Sequence, residues 1–319
     1  MSTLNVDLKK FDMSSIADDS TVIIIGKRNT GKSFLTMDFM YYHQDLPVGT
    51  VISPTENYNN FYKDIVPKIF IHQEPTPELL KNIIKRQDSA VRSHRKNKDT
   101  DPRAFLIMDD CMAYATAWVR DKMTKIIFMN GRHLKVLTLI TLQDSLGITP
   151  ELRTNTDYVF ILREPRVNMR KRLYEHYTGG MFKSFEIFCK VLDSCTENYE
   201  CLVIDNKTRS NKLEDQVYWY KAESHESFKV GAPEIWDFCK ENCPDEDDTG
   251  DNEEDENNLR YYNPKKGPNL LVNKINPSKP RPKVPYNSAR RSRPNNSEIR
   301  HSVPQHQYKD RERSRRINY

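Results

Sequence analysis

Thr21-Val22-Ile23-Ile24-Ile25-Gly26-Lys27-Arg28-Asn29-Thr30-Gly31-Lys32-Ser33 decides how the rest of the chain is read. A short β-branched run leads directly into the pattern Gly-x-x-x-x-Gly-Lys-[Ser/Thr], and the residues after it, to about His43, have the spacing of a helix. Each position has a physical reason. Gly26 and Gly31 permit positive-φ turns that aim backbone N–H groups at phosphate oxygens. The helix that follows presents its positive dipole end to the same anion. Lys32 would reach the β- and γ-phosphates and the Ser33 hydroxyl would ligate Mg²⁺. The whole octet, Gly26, Lys27, Arg28, Asn29, Thr30, Gly31, Lys32 and Ser33, is therefore expected to bind ATP with its magnesium. The bland alternative is a glycine-rich turn with an incidental lysine.

A second carboxylate source is expected at the tip of a neighbouring strand, and Ala104-Phe105-Leu106-Ile107-Met108-Asp109-Asp110 provides one. Asp109 would hold the metal, directly or through water, and Asp110 would act as general base on the attacking water; either acid could instead cap the next helix. The 77 positions from Lys32 to Asp109 contain two more strand candidates, which points to the RecA-like branch of P-loop NTPases and away from simple nucleotide kinases. The strand Val136–Leu142 ends in Gln143, placed to sense the γ-phosphate or position water. Upstream, Asn130-Gly131-Arg132-His133 reads as a loop. Arg132 there would neutralise transition-state charge in a neighbouring subunit's site or form a surface ion pair; Arg163 is the competing arginine.

Further strands are predicted at Thr50–Ser53, Lys68–His72, Tyr158–Leu162, Glu200–Ile204 and Val217–Tyr220. Helices are predicted over Lys32–His43, Pro77–Arg95, Arg120–Asn130, Arg166–Tyr177, Met181–Leu192 and Glu234–Glu241. Several strands are apolar almost throughout, as strands covered on both faces are. Alternation of the two element types implies an α/β fold, a mainly parallel sheet with helices on both faces.

These pieces in this order resemble the FtsK–HerA superfamily of DNA-pumping ATPases, and within it the genome-packaging ATPases of nucleocytoplasmic large DNA viruses. The resemblance rests on Ile24–Ser33, Leu106–Cys111 and Asn130–His133 leading to Gln143, and is narrowed by Glu200–Asp205 and Val217–Ala222. It implies a RecA-like core in a homo-oligomeric ring, a hexamer, threading double-stranded DNA into a capsid with capsid or portal proteins as partners. The site of action would be the host cytoplasm, in the viral factory, and the virion. In that reading Lys32 and Ser33 belong to Walker A, Asp109 and Asp110 to Walker B, Gln143 is the sensor and Arg132 the trans-acting arginine. Asp110 stands where the superfamily usually has Glu, one methylene further from the water.

Charge is unevenly placed. Asp245–Glu256 carries nine carboxylates in twelve positions, and residues 257–319 carry sixteen Lys/Arg against three Asp/Glu, which leaves residues 1–244 near neutrality. Organisation is expected as a lead-in over 1–20, one ATPase domain over 21–244, and a disordered acidic-then-basic tail over 245–319, where large apolar residues are too few to offset ordering entropy. The tail would bind DNA or an acidic capsid surface, or fold back onto its own carboxylates. Lys81, Lys85, Arg86, Arg92, Arg95, Lys96, Lys98 and Arg103 form a basic strip, suited to gripping phosphates or to a solvated helix face. No secretion signal and no membrane-spanning run is evident. Six cysteines without a metal spacing fit a reducing compartment, although Cys239 and Cys243 are four apart. The main rival reading is a small-molecule nucleoside or nucleotide kinase; a non-enzymatic scaffold is the third.

Overall fold

The computed structural model describes residues 4–243 and 270–275, all within one compact unit. In chain order the strands are β1 (Leu4–Lys9), β2 (Thr21–Ile25), β3 (Val48–Ile52), β4 (Ile71–His72), β5 (Ala104–Met108), β6 (Val136–Leu142), β7 (Tyr158–Ile161), β8 (Glu200–Asp205), β9 (Val217–Lys221) and β10 (Leu270–Ile275). The helices are α1 (Lys32–Tyr41), α2 (Glu56–Asn59), α3 (Pro77–Lys96), α4 (Ala115–Trp118), α5 (Lys122–Leu134), α6 (Pro150–Thr154), α7 (Val167–Tyr177), α8 (Phe185–Cys195), α9 (Leu213–Gln216) and α10 (Pro233–Asn242).

Eight strands make one sheet in the order β4-β3-β5-β6-β2-β7-β8-β9. The first six in that order run parallel, and β8 and β9 add antiparallel at one side. This is the RecA-like P-loop NTPase fold. The strand that separates the two motif strands, β2 and β5, is β6, which comes later in the chain than either; the segments between the motifs in sequence, β3 and β4, lie outside β5.

Both faces of the sheet are covered, which accounts for the unbroken apolar runs. Ile23, Ile25, Leu106, Met108, Ile140 and Ile161 pack with Phe128, Leu134, Leu173, Phe188 and Leu192 from α5, α7 and α8. Val22, Ile24, Val51, Phe105, Ile107, Leu139 and Phe160 face the other way, onto Leu35, Phe39 and Met40 of α1. Burying each such side chain contributes about 1.5–3 kcal/mol before entropy is subtracted. The helices begin where capping chemistry allows: Thr76 accepts a hydrogen bond from Leu79 N ahead of Pro77, and Asp121 accepts one from Met123 N at the head of α5.

The first twenty residues are more than a lead-in. Val6, Leu8, Phe11, Met13 and Ile16 are buried in the same two cores. Phe11 sits edge-on to Tyr158, Phe160 and Tyr218, and Phe11 N donates to Trp219 O at 2.9 Å. The expectation of disorder throughout 245–319 also fails at one stretch: β10 pairs in parallel with β1, from Leu4 opposite Leu270 to Lys9 opposite Ile275. Leu-Leu-Val-Asn-Lys-Ile is the most β-prone hexapeptide of that segment, and β1 supplies its partner. The rest of the tail, and the acidic and basic runs assigned to it, lie outside the described residues. Among the described residues no helix is long and apolar enough to cross a membrane, and no group of His, Cys, Asp or Glu is arranged to hold a metal, Cys239 and Cys243 included.

Candidate active site

The octet after β2 turns sharply, and its two glycines serve different ends. Gly31 holds φ +96°, as does Asn29 in the same region at +59°, so the second half of the loop is the positive-φ part. Gly26 is not in that region; a Cβ there would lie 2.6 Å from Thr30 Oγ1 and 2.8 Å from Leu162 Cδ1. Its requirement is space, which corrects the expectation of a positive-φ turn at both. Thr30 Oγ1 donates to Lys27 O at 2.8 Å, Gly26 N donates to Leu142 O at 2.9 Å, and Lys27 forms a 2.9 Å ion pair with the buried Glu164. The loop is thereby fixed from β6 on one side and from the end of β7 on the other.

Lys32 Nζ donates to Gly26 O at 2.8 Å and to Lys27 O at 2.9 Å, lying across the loop it belongs to. Burial lowers its pKa, while the charges of Asp110 and Asp109 act to raise it. Lys32 and the two acids therefore share one electrostatic neighbourhood, although 77 positions separate Lys32 from Asp109.

The acids end β5, two strands away. Asp109 is 9% exposed, and burial pushes its carboxyl up against the opposing effect of a hydrogen bond from Thr141. Thr141 Oγ1 donates to Asp109 Oδ1 at 2.6 Å and accepts from Asp110 N at 3.0 Å, so one hydroxyl on β6 orients both residues. Asp110 takes φ +51°, which turns its side chain off the strand line. There Gln143 Nε2 donates to its Oδ1 at 2.7 Å and to its Oδ2 at 2.8 Å. Trp118, fully buried, closes the following turn by donating from Nε1 to Cys111 O at 3.0 Å. Sequence reasoning singled out Asp109, Asp110 and Gln143 but missed Thr141. The readable signal was a hydroxyl at the next-to-last position of a strand that is apolar apart from it and Thr138.

These residues fit a magnesium nucleotide. An exposed Ser33 hydroxyl and the Asp109 carboxylate are hard oxygen donors of the kind Mg²⁺ takes alongside substrate phosphates. The bent loop opens onto the first turn of α1, where backbone N–H groups have no intrahelical acceptor.

Arg132 is elsewhere. Asn130–His133 is not a loop: α5 continues to Leu134 and stops where Lys135 adopts the left-handed conformation. The stripe Thr124, Ile127, Phe128, Gly131, Leu134 is buried, and this helical period outweighs the turn signal of Asn-Gly. Arg132 stands at the amino end of the sheet, opposite the phosphate loop, where it forms an ion pair with Asp157 while 62% exposed. Arg163 lies on the other side, beyond β7, and its Nη1 donates to Thr196 O at 3.4 Å. Of the basic strip, Lys81, Lys85, Arg92, Arg95, Lys96 and Lys98 are exposed on or just beyond α3. Arg86 turns inward to Gly49 O at 3.0 Å, and Arg103 is engaged by Asp101, Asp18 and Asp45.

Fold and site together define a P-loop NTPase in which the strand ending at Gln143 lies between the phosphate-loop strand and the acid-tipped strand. No protein-family model matches the chain. An uncharacterised protein of Acanthamoeba polyphaga mimivirus is 38% identical over 265 residues, covering 82% of this chain and 86% of that protein. Another, of Invertebrate iridescent virus 3, is 39% identical over 220 residues, covering 67% and 82%. Among solved structures, the genome packaging NTPase of Sulfolobus turreted icosahedral virus 2 bound to AMP is similar at 14% identity and TM-score 0.46, over 66% of this chain and 100% of that one. The chain belongs to the family that these uncharacterised proteins of mimivirus and Invertebrate iridescent virus 3 form.

Proposed function

We propose that the chain hydrolyses ATP to drive double-stranded DNA into a viral capsid, working as a homo-oligomeric ring, a hexamer. The observation that carries this reading is the meeting of Lys32, Asp109, Asp110 and Gln143 at the carboxyl ends of three adjacent strands. Lys32 exchanges its contacts with loop carbonyls for phosphate oxygens. Asp110, held by the Gln143 amide, accepts the proton of the attacking water, and Gln143 is placed to register whether the γ-phosphate is present. Mg²⁺, when bound, would be held by Ser33 and Asp109 and would neutralise phosphate charge.

Arg132 has no role at its own subunit's phosphate loop, since it stands at the opposite end of the sheet. In a ring it would face the next subunit's nucleotide and act there as the trans arginine. The exposed cations along α3 suit contact with phosphates irrespective of sequence, as a motor requires. Capsid or portal proteins would be the docking partners, in the viral factory of the host cytoplasm and in the virion. Phosphate release from ATP, measured with and without linear double-stranded DNA, tests the reading. DNA-stimulated release abolished by Lys32→Ala is expected; release indifferent to DNA would contradict the motor.

A further inference from the structure

The turn that leads into β8 lies over the phosphate loop, and no part of the mechanism above uses it. Because β8 runs antiparallel to β7, with Ile161 opposite Leu202, its first residues lie at the edge where β2 and β7 end. The preceding turn is held in an unusual conformation. Asn198 and Tyr199 are consecutive non-glycine residues at φ +51° and +62°; asparagine enters this region readily, but for tyrosine it is a strained conformation that persists only where the surroundings enforce it. Those surroundings are Thr196, buried and donating to Leu192 O at 2.6 Å, and Glu200 N, donating to Glu197 O at 2.9 Å.

The result is a large ring projected outward. Tyr199 is 71% exposed, yet it stands against the phosphate loop: a Cβ built on Gly31 would lie 3.5 Å from Tyr199 Cδ1. Gly31 is the N-cap of α1, and one turn further along the same helical face Phe34 is 48% exposed. One accessible ring therefore stands against the phosphate loop, and a second is exposed one turn along the helix that the loop opens. Burial would have been the ordinary outcome for rings of this size, and a strained backbone is an uneconomical way to keep one in water.

We propose that Tyr199, with Phe34 further along α1, is the platform on which the base of the bound nucleotide stacks; this assignment rests on the nucleotide reading of the same site. A ring face offers stacking to any base, and such a contact contributes roughly 1–3 kcal/mol, about 5- to 150-fold in affinity. Tyr199 is a binding residue in this account and takes no part in proton transfer.

The test separates base from phosphate. Affinities of the full chain for ATP and for inorganic tripolyphosphate, which carries the phosphate chain without a base, are measured with Mg²⁺ for the wild type, Tyr199→Ala, Tyr199→Trp and Lys32→Ala. Tyr199→Ala is expected to bind ATP about tenfold more weakly and tripolyphosphate as the wild type does, a result that also shows the variant to be folded. Tyr199→Trp should keep ATP affinity, with indole fluorescence changed by ATP and not by tripolyphosphate. Unchanged ATP affinity in Tyr199→Ala, or equal loss of both ligands, would overturn the assignment, the second outcome making the ring a prop for the loop. A wild-type chain that binds neither ligand would overturn the nucleotide reading itself and the platform with it.

Discussion

At the amino ends of the strands, charged groups meet opposite charges. Arg132 pairs with Asp157, whose other oxygen accepts from Thr21 N at 2.8 Å; Arg103 is surrounded by Asp18, Asp45 and Asp101; Lys135 reaches Asp19 at 2.8 Å. At the carboxyl ends the same kinds of residue are arranged differently. Asp109 and Asp110 are adjacent like charges, Lys32 donates to the carbonyl oxygens of Gly26 and Lys27, and Asn29, Asn60, Asp110, Asn198 and Tyr199 hold positive φ, against Lys135 alone at the amino end among the described residues. One end is arranged for stability. At the other, like charges and left-handed backbone gather around the residues proposed to bind the nucleotide.

That contrast can be broken most severely at Lys32. Lys32→Ala should lower ATP turnover by roughly 10³-fold or more, through loss of phosphate positioning and charge stabilisation, with little change in melting temperature. Second in size are Asp110→Asn and Gln143→Ala. Each is expected to reduce turnover by about 10²-fold while ATP affinity stays within a few-fold, and the double variant should lose less than the product of the two because they act as one hydrogen-bonded unit. Equal losses in affinity and turnover would place them in binding instead.

The amino end should answer in stability. Burial disfavours the ionised Asp18, but hydrogen bonds and charge from His43 and Arg103 prevail and hold its carboxyl at about 2. A depressed folded-state pKa contributes stability that is present above the ordinary carboxylate value near 3.8 and lost as pH falls toward about 2. Asp18→Asn should therefore cost up to about 2 kcal/mol at neutral pH and almost nothing at pH 2, measured as the urea midpoint at each pH. The smallest effect is at Arg132. Its exposed ion pair contributes about 0–1 kcal/mol, so Arg132→Ala should scarcely move the melting temperature. If it also lowers turnover in the assembled ring, mixing it with Lys32→Ala subunits should restore activity at the sites where an intact Lys32 faces an intact Arg132. No recovery would confine Arg132 to its pair with Asp157.

How much of this was legible in the sequence follows the same division. The phosphate loop, the acid-tipped strand and Gln143 could be read because each is a contiguous run whose chemistry is local. Strand order could not, since crossovers bring β6 between β2 and β5 without leaving a mark on any of the three. Arg132 was misplaced because Asn130-Gly131 is a turn signal, although Ile127, Phe128, Gly131 and Leu134 keep helical register through it. Leu4-Asn5-Val6-Asp7-Leu8-Lys9 alternates apolar and polar residues as a half-buried strand does, so β1 was legible too. Thr141 and Tyr199 are of another kind. Their importance comes from what the fold sets beside them, Asp109 in one case and Gly31 in the other.

The central claim is that the glycine-bent loop and the aspartate pair serve a single ligand. A crystal structure of the chain with Mn²⁺ and a non-hydrolysable ATP analogue tests it most directly, the metal being located by its anomalous scattering. The account places the metal between Ser33 and Asp109 and the terminal phosphates on Lys32 Nζ; analogue bound away from Lys32, or metal sited without Asp109 or its bound waters, would contradict it.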